Sequence, residues 1–178
     1  PDKWGRETGD EAGWDICLSE DGGVLVVGVP GSTHMGIDAG EIRVYEYKPL
    51  TDHWLRRGQD LHGEMPGDRF GHAVAVSDDG MIVEAGSPFY SKTFENAGEV
   101  RIFHYNHSEA HRFHKVSRTL TGRDANDNFG HAVAMSADGT TVAAGAPAAP
   151  YNGMALVGYV EVHFFNVALQ KWKKLGEP

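Results

Sequence analysis

The feature that most constrains this chain is a sequence written three times over in register. Asp21-Gly22 returns as Asp79-Gly80 and Asp138-Gly139, at steps of 58 and 59 residues. Gly28-Val29-Pro30 returns as Gly86-Ser87-Pro88 and Gly145-Ala146-Pro147, and Gly40-Glu41-Ile42 as Gly98-Glu99-Val100 and Gly158-Tyr159-Val160. Trp54 falls on Phe113 and then on Trp172. Landmarks that hold a common spacing mark repeated structural units, each unable to bury its apolar face without its neighbours. The units run over 5–62, 63–121 and 122–178.

Inside each unit the apolar period is two, the period of strands. His72-Ala73-Val74-Ala75-Val76 and His131-Ala132-Val133-Ala134-Met135 alternate, and each leads into Ser-x-Asp-Gly. There Asp bonds its own backbone and Gly supplies positive φ, so a tight hairpin is expected. A second strand follows, as at Thr141-Val142-Ala143-Ala144, and Gly-x-Pro stops it because proline cannot continue a ladder. A third strand is expected over Val100–Tyr105, and a fourth from Trp54 to Leu61 in the first unit. Four short antiparallel strands in about 59 residues, with no helical period, describe an all-β chain of β-propeller blades. Alanines 73, 75, 132 and 134 suit the crowded inner edge of such blades. Three blades do not close a ring, which takes roughly 4–8. Both ends fall inside the pattern, so the remaining blades are expected in further chain rather than in other copies.

Composition removes several classes of function. A net charge of −9 is the wrong sign for a surface that tracks phosphates, so no nucleic-acid partner is expected. No apolar run reaches the ~18–20 residues of a membrane-spanning helix. The single cysteine, Cys17, excludes an internal disulfide framework and is expected to be a small apolar strand residue. The 23 glycines reflect three turn positions repeated in every unit.

Gly67-Asp68-Arg69-Phe70-Gly71-His72-Ala73-Val74-Ala75, followed by Ser77-Asp78-Asp79-Gly80 and Gly86-Ser87-Pro88, resembles an FG-GAP repeat. Asn128-Phe129-Gly130 and Gly145-Ala146-Pro147 match it more literally, whereas the first unit has Ala12-Gly13 and Gly28-Val29-Pro30. The resemblance, which spans the chain, implies an integrin α-subunit-like propeller of about six to eight blades, seven by the family pattern. It further implies a non-catalytic, extracellular or cell-surface module for adhesion or scaffolding, its partners being other protein chains or the remaining blades. Many integrin-type blades carry Asp-x-Asp-x-Asp-Gly calcium loops. Here the hairpins shorten to Ser19-Glu20-Asp21-Gly22, Ser77-Asp78-Asp79-Gly80 and Ser136-Ala137-Asp138-Gly139, too few carboxylates for six to eight oxygen ligands. No metal or other cofactor is expected.

Candidate functional residues are few. The loops after Gly-x-Pro vary while their frame does not, which singles out Phe89, Tyr90, Phe94, Tyr151, Met154 and Leu156 as interaction anchors or blade-packing residues. Aromatic loops also allow a carbohydrate-binding propeller with glycan partners. Asp15 and Glu84 replace apolar residues of the other units and are expected at the channel, at a partner or in inter-blade ion pairs. They are the residues on which a propeller enzyme with its site at the channel mouth would rest. Asp124-Ala125-Asn126-Asp127-Asn128 reads as a solvated loop, and His104, His107, His111 and His114 as a polar hairpin rather than a zinc site. His72 and His131 repeat one position after Phe-Gly and are expected to serve the blade itself. Asn106-His107-Ser108 is a glycosylation acceptor on a turn, which fits a secreted protein.

Overall fold

The computed structural model describes residues 4–108 and 111–176, so positions 177–178 of the third expected unit lie outside the described residues. The described chain is all-β: three antiparallel sheets in sequence order and no helix. The first contains β1 (Ile16–Leu18), β2 (Val24–Val29), β3 (Glu41–Lys48), β4 (His53–Arg56) and β5 (Leu61–His62). The second contains β6 (Ala73–Val76), β7 (Ile82–Ser87), β8 (Glu99–Asn106), β9 (Arg112–Lys115) and β10 (Leu120–Thr121). The third contains β11 (Ala132–Met135), β12 (Thr141–Ala146), β13 (Tyr159–Asn166) and β14 (Lys171–Leu175).

Local chemistry explains the hairpins. Ser19 Oγ donates to Asp21 Oδ1 (2.7 Å), which also accepts the amide of Gly23 (2.8 Å), while Gly22 sits at φ 68°. The turns at Ser77 and Ser136 repeat these bonds on Asp79 and Asp138. The hydrogen bond from Ser19 holds the Asp21 carboxyl below its ordinary range, and Ser136 does the same for Asp138. Those oxygens are occupied by the turn.

The expected single fourth strand is split. After Tyr45↔Arg56 the pairing jumps to Ile42↔Leu61, and after Phe103↔Lys115 it jumps to Val100↔Leu120. Gly58 and Ser117 take φ of 74° and 63° at the breaks, the local kink of extra residues inserted into one strand.

Apolar faces meet between sheets. Val24, Val26, Val74, Val76, Val83 and Ala85 share one core between the first and second sheets, with Cys17 packed against it. Val100, Ile102, Phe129, Val142, Ala144 and Ala146 form the next. At each junction the backbone itself interlocks. A Cβ on Gly28 would stand 2.1 Å from the Gly71 carbonyl oxygen, and one on Gly86 2.0 Å from that of Gly130. Gly40 and Gly98 meet the backbones of Phe70 and Phe129 in the same way, as parallel bridges. At the same position of the third sheet, a Cβ on Gly145 would meet nothing closer than 3.8 Å.

One buried group breaks the apolar rule. Glu84 pairs with Ile102 in register and alternates with Ile82, which places it in the core between the second and third sheets. It is fully buried, and neither carboxyl oxygen has a hydrogen-bond partner. Sequence reasoning expected an acid facing the channel or a partner, or held in an inter-blade ion pair; the strand's alternation instead turns the side chain inward, where no cation reaches it. Burial therefore pushes its carboxyl well above the ordinary range.

Two predictions follow from this packing. Gly86→Ala, with its Cβ driven into backbone, costs at least the ~1–3 kcal/mol of overpacking, whereas Gly145→Ala is close to neutral in this chain; chemical denaturation of both variants checks the contrast. Because Glu84 is raised, the unfolded chain releases its proton near pH 4.5 while the folded chain keeps it, so this group lowers stability as pH rises from 4.5. Glu84→Val should thus stabilise the protein at pH 7 by about 1–3 kcal/mol and remove that part of the pH dependence, read from denaturation midpoints between pH 4 and 8.

Candidate active site

Strands β1, β6 and β11 are the inner strands of the three sheets, and Trp14, His72 and His131 stand one or two positions before them. These positions are equivalent in the repeat, so the folding that stacks the sheets lines the three rings up. The Trp14 and His72 centroids lie 5.5 Å apart and those of His72 and His131 4.7 Å. Arg69 lies over the Trp14 ring at 5.3 Å and pairs with Glu11. Glu11, Arg69 and Asn128 all take φ between 53° and 57°, so that backbone conformation belongs to the repeat rather than to Arg69 alone.

Asp15 stands behind this row. Its Oδ2 accepts the amide of Val74 (2.8 Å) and its Oδ1 that of Ile16 (3.0 Å), joining the first two inner strands. His72 is half-buried with Nδ1 unpartnered. Burial lowers its pKa, as do the charges of the neighbouring His131 and Arg69, against the opposing pull of a hydrogen bond to the His131 backbone and of Asp15. The imidazole is accordingly neutral at pH 7 and able to accept a proton. The Glu11-paired guanidinium of Arg69, the imidazole of His72 and the indole of Trp14 thus border one surface.

The other expected residues lie elsewhere. Phe89, Phe94, Tyr151, Met154 and Leu156 are exposed on their loops, but Tyr90 is buried and not available as an anchor. Burial, with the nearby Glu99, Glu64 and Asp68, raises the Tyr90 hydroxyl to about 12. Asn106 ends β8, where its Oδ1 accepts the amide of Ser108 (2.8 Å). The four clustered histidines separate into two pairs, His104 opposite His114 across β8 and β9, and His107 beside His111 at 5.9 Å. Among the described residues no three His, Cys, Asp or Glu side chains converge as a metal site would require.

Sequence reading missed two repeated devices. Asp10, Asp68 and Asp127 each accept the amides three and four residues earlier, closing the loop that enters each unit. Their spacing of 58 and 59 residues was the available signal. The third strands also carry buried charge. Glu41 pairs with Arg43, and Glu99 with Arg101 at 2.8 Å. Burial pushes both carboxyls up; for Glu41 the His62 hydrogen bond and the Arg43 charge outweigh it and hold the group at about 2, whereas Glu99 rises to about 7.

Comparison with known proteins corrects the family and the role. No family model matches the chain, and no curated protein matches it. Among solved structures it is similar to a candidate 6-phosphogluconolactonase from Bacteroides fragilis, with 13% identity and a TM-score of 0.59 over 94% of this chain. A counterpart from Bacteroides uniformis gives 16% and 0.54 over 89%, and the periplasmic gluconolactonase of Pseudomonas aeruginosa 14% and 0.52 over 84%. In each case the match covers 38% of the other chain, so this chain spans well under half the length of the structures it resembles. At such identities the likeness is one of fold.

The FG-GAP, integrin-like assignment is thereby overturned, and with it the non-catalytic adhesion, scaffold and lectin-like roles and the expectation of a non-enzyme, since the matching folds are named as lactonases. The physical reason lies in the landmarks. Phe70 and Phe129 are wholly buried, and Gly28 and Gly86 of the first two Gly-x-Pro segments admit a neighbouring carbonyl. Phe-Gly and Gly-x-Pro report sheet-on-sheet packing, which unrelated chains reach under the same steric demand.

The imidazole row makes its own prediction. His72 should titrate below the ordinary histidine value of about 6.5, and His131→Ala should move it back upward, both followed by NMR of the ring protons.

Proposed function

We propose that this chain supplies three blades of a larger β-propeller that hydrolyses a sugar lactone at the mouth of its central channel, where Trp14, His72 and His131 form the row. The observation that carries the reading is this row beside Arg69, on a fold shared with proteins named as gluconolactonases. Neutral His72 takes a proton from water as the oxygen attacks the lactone carbonyl, and Arg69 stabilises the resulting oxyanion. The ring C–O bond then breaks, and protonated His72 returns the proton to the departing alkoxide, leaving a hydroxy acid. Trp14 offers a flat apolar face to the sugar ring.

Further blades fit the open ends. Ile16 and Leu18 of the first sheet are 59% and 53% exposed, and Val160 of the third 69%, although equivalent residues are buried at the inner junctions. A place outside the cytoplasm suits the same reading, because one matching protein is named as periplasmic. No helix of the described residues is long and apolar enough to cross a membrane.

The test is hydrolysis of glucono-δ-lactone by the purified protein, followed by acid release in a pH-stat. His72→Ala and Arg69→Ala are each expected to lower kcat by about 10²–10³, with the unfolding midpoint little changed. A rate no faster than spontaneous opening, or one that His72→Ala leaves intact, defeats the reading.

A further inference from the structure

A second site lies between the outer strands of the second and third sheets, where the third unit departs from the repeat. The first two units read Glu41-Ile42-Arg43-Val44-Tyr45 and Glu99-Val100-Arg101-Ile102-Phe103, and the third reads Tyr159-Val160-Glu161-Val162-His163. In register, Glu161 takes the place of Arg43 and Arg101, and His163 that of Tyr45 and Phe103. Imidazole is smaller than the aromatic rings it replaces, and a cavity of about 330 Å³ lies here between Thr119, Thr121, His163, Trp172 and Lys174. Both of its walls belong to this chain.

The cavity is built from paired charge. Glu161 Oε1 accepts from Arg123 Nε (2.8 Å) and Lys174 Nζ (3.0 Å), and its Oε2 from His163 Nε2 (2.9 Å). The His163 bond first, then those of Arg123 and Lys174, hold this carboxyl at about 2 against its burial, so it is ionised. Its acceptor capacity is used in orienting the donors. His163 is about nine-tenths buried, and with Nε2 engaged by Glu161 its Nδ1 is the ring nitrogen left for a ligand. Arg118 and Lys171 stand at the rim, and Lys115 Nζ binds Thr119 Oγ1 at 3.2 Å. In a chain of net charge −9, Arg118, Lys171 and Lys174 line one cavity while Arg123 also engages its Glu161 carboxylate, a local positive field that draws anions.

We propose that this cavity binds a hydroxylated organic anion of about monosaccharide size, its phosphate or carboxylate held by Arg118 and Lys174, a hydroxyl by His163 Nδ1, and its carbon skeleton against Trp172. The site is independent of the lactone reading, because none of its residues belongs to the inner row. Glucose 6-phosphate, gluconate and inorganic phosphate are titrated calorimetrically into the full chain. At least one organic anion should bind ten or more times tighter than inorganic phosphate, and which of the two wins tells a phosphate ester from a carboxylate. Arg118→Gln with Lys174→Gln should weaken that binding at least tenfold. His163→Phe, which restores the second unit's residue and fills the space, should abolish it, with circular dichroism and the unfolding midpoint verifying the fold of each variant. His72→Ala should leave it unchanged. Affinity weaker than about 1 mM for both organic anions, equal affinity for inorganic phosphate, or binding lost in His72→Ala but kept in His163→Phe would each overturn the assignment.

Discussion

The approach of one sheet's glycine to the next sheet's carbonyl sets the spacing on which the rest of the molecule depends. Gly28 meets Gly71 and Gly86 meets Gly130 at distances that leave no room for a Cβ. With the backbones this close, Phe70 and Phe129 are wholly enclosed, and valines of neighbouring sheets come into contact. Each buried large side chain contributes roughly 1.5–3 kcal/mol, so the junctions rather than the isolated sheets hold the fold together. The same approach draws the inner strands together and places Trp14, His72 and His131 side by side.

Charge is distributed unevenly over this frame. Glu41 and Glu161 are surrounded by donors and held ionised, so their share of stability is present at neutral pH and lost as pH falls below about 4.5. Glu99 and Glu84 have the opposite sign, because desolvation exceeds what Arg101 returns to Glu99 and meets no cation at Glu84. In the third unit Glu161 and His163 stand where the other units have an arginine and an aromatic, and both line a cavity. One junction thus carries both an unpaired acid and a polar cavity.

Much of the architecture was legible from residues close in sequence. The hairpins could be read because Ser, Asp and Gly bond within five positions, and the strands because their alternation is local. The break in the fourth strand was not legible: Ser117 at positive φ has no local signature. Repetition exposed His72 and His131, but Trp14 escaped notice because the position holds a different residue in the first unit. Glu161 was invisible as a hub, since Arg123 and Lys174 reach it from other elements and only His163 lies on its own strand. The family resemblance failed for a related reason: Phe-Gly and Gly-x-Pro encode contacts between sheets, and such contacts are not unique to one lineage.

By itself the sequence determined an all-β chain of repeated units, their turns and their strand order, because period, proline, glycine and aspartate act over a few residues. Only the tertiary structure decided which face each strand turns inward. That choice buried Glu84 without a partner, seated Asp15 on the Val74 amide and brought the three rings into one row. The division has a physical cause. Backbone geometry is a local property, whereas desolvation and ring-to-ring distance depend on residues some 58 positions away, and only the stacking of the sheets supplies them.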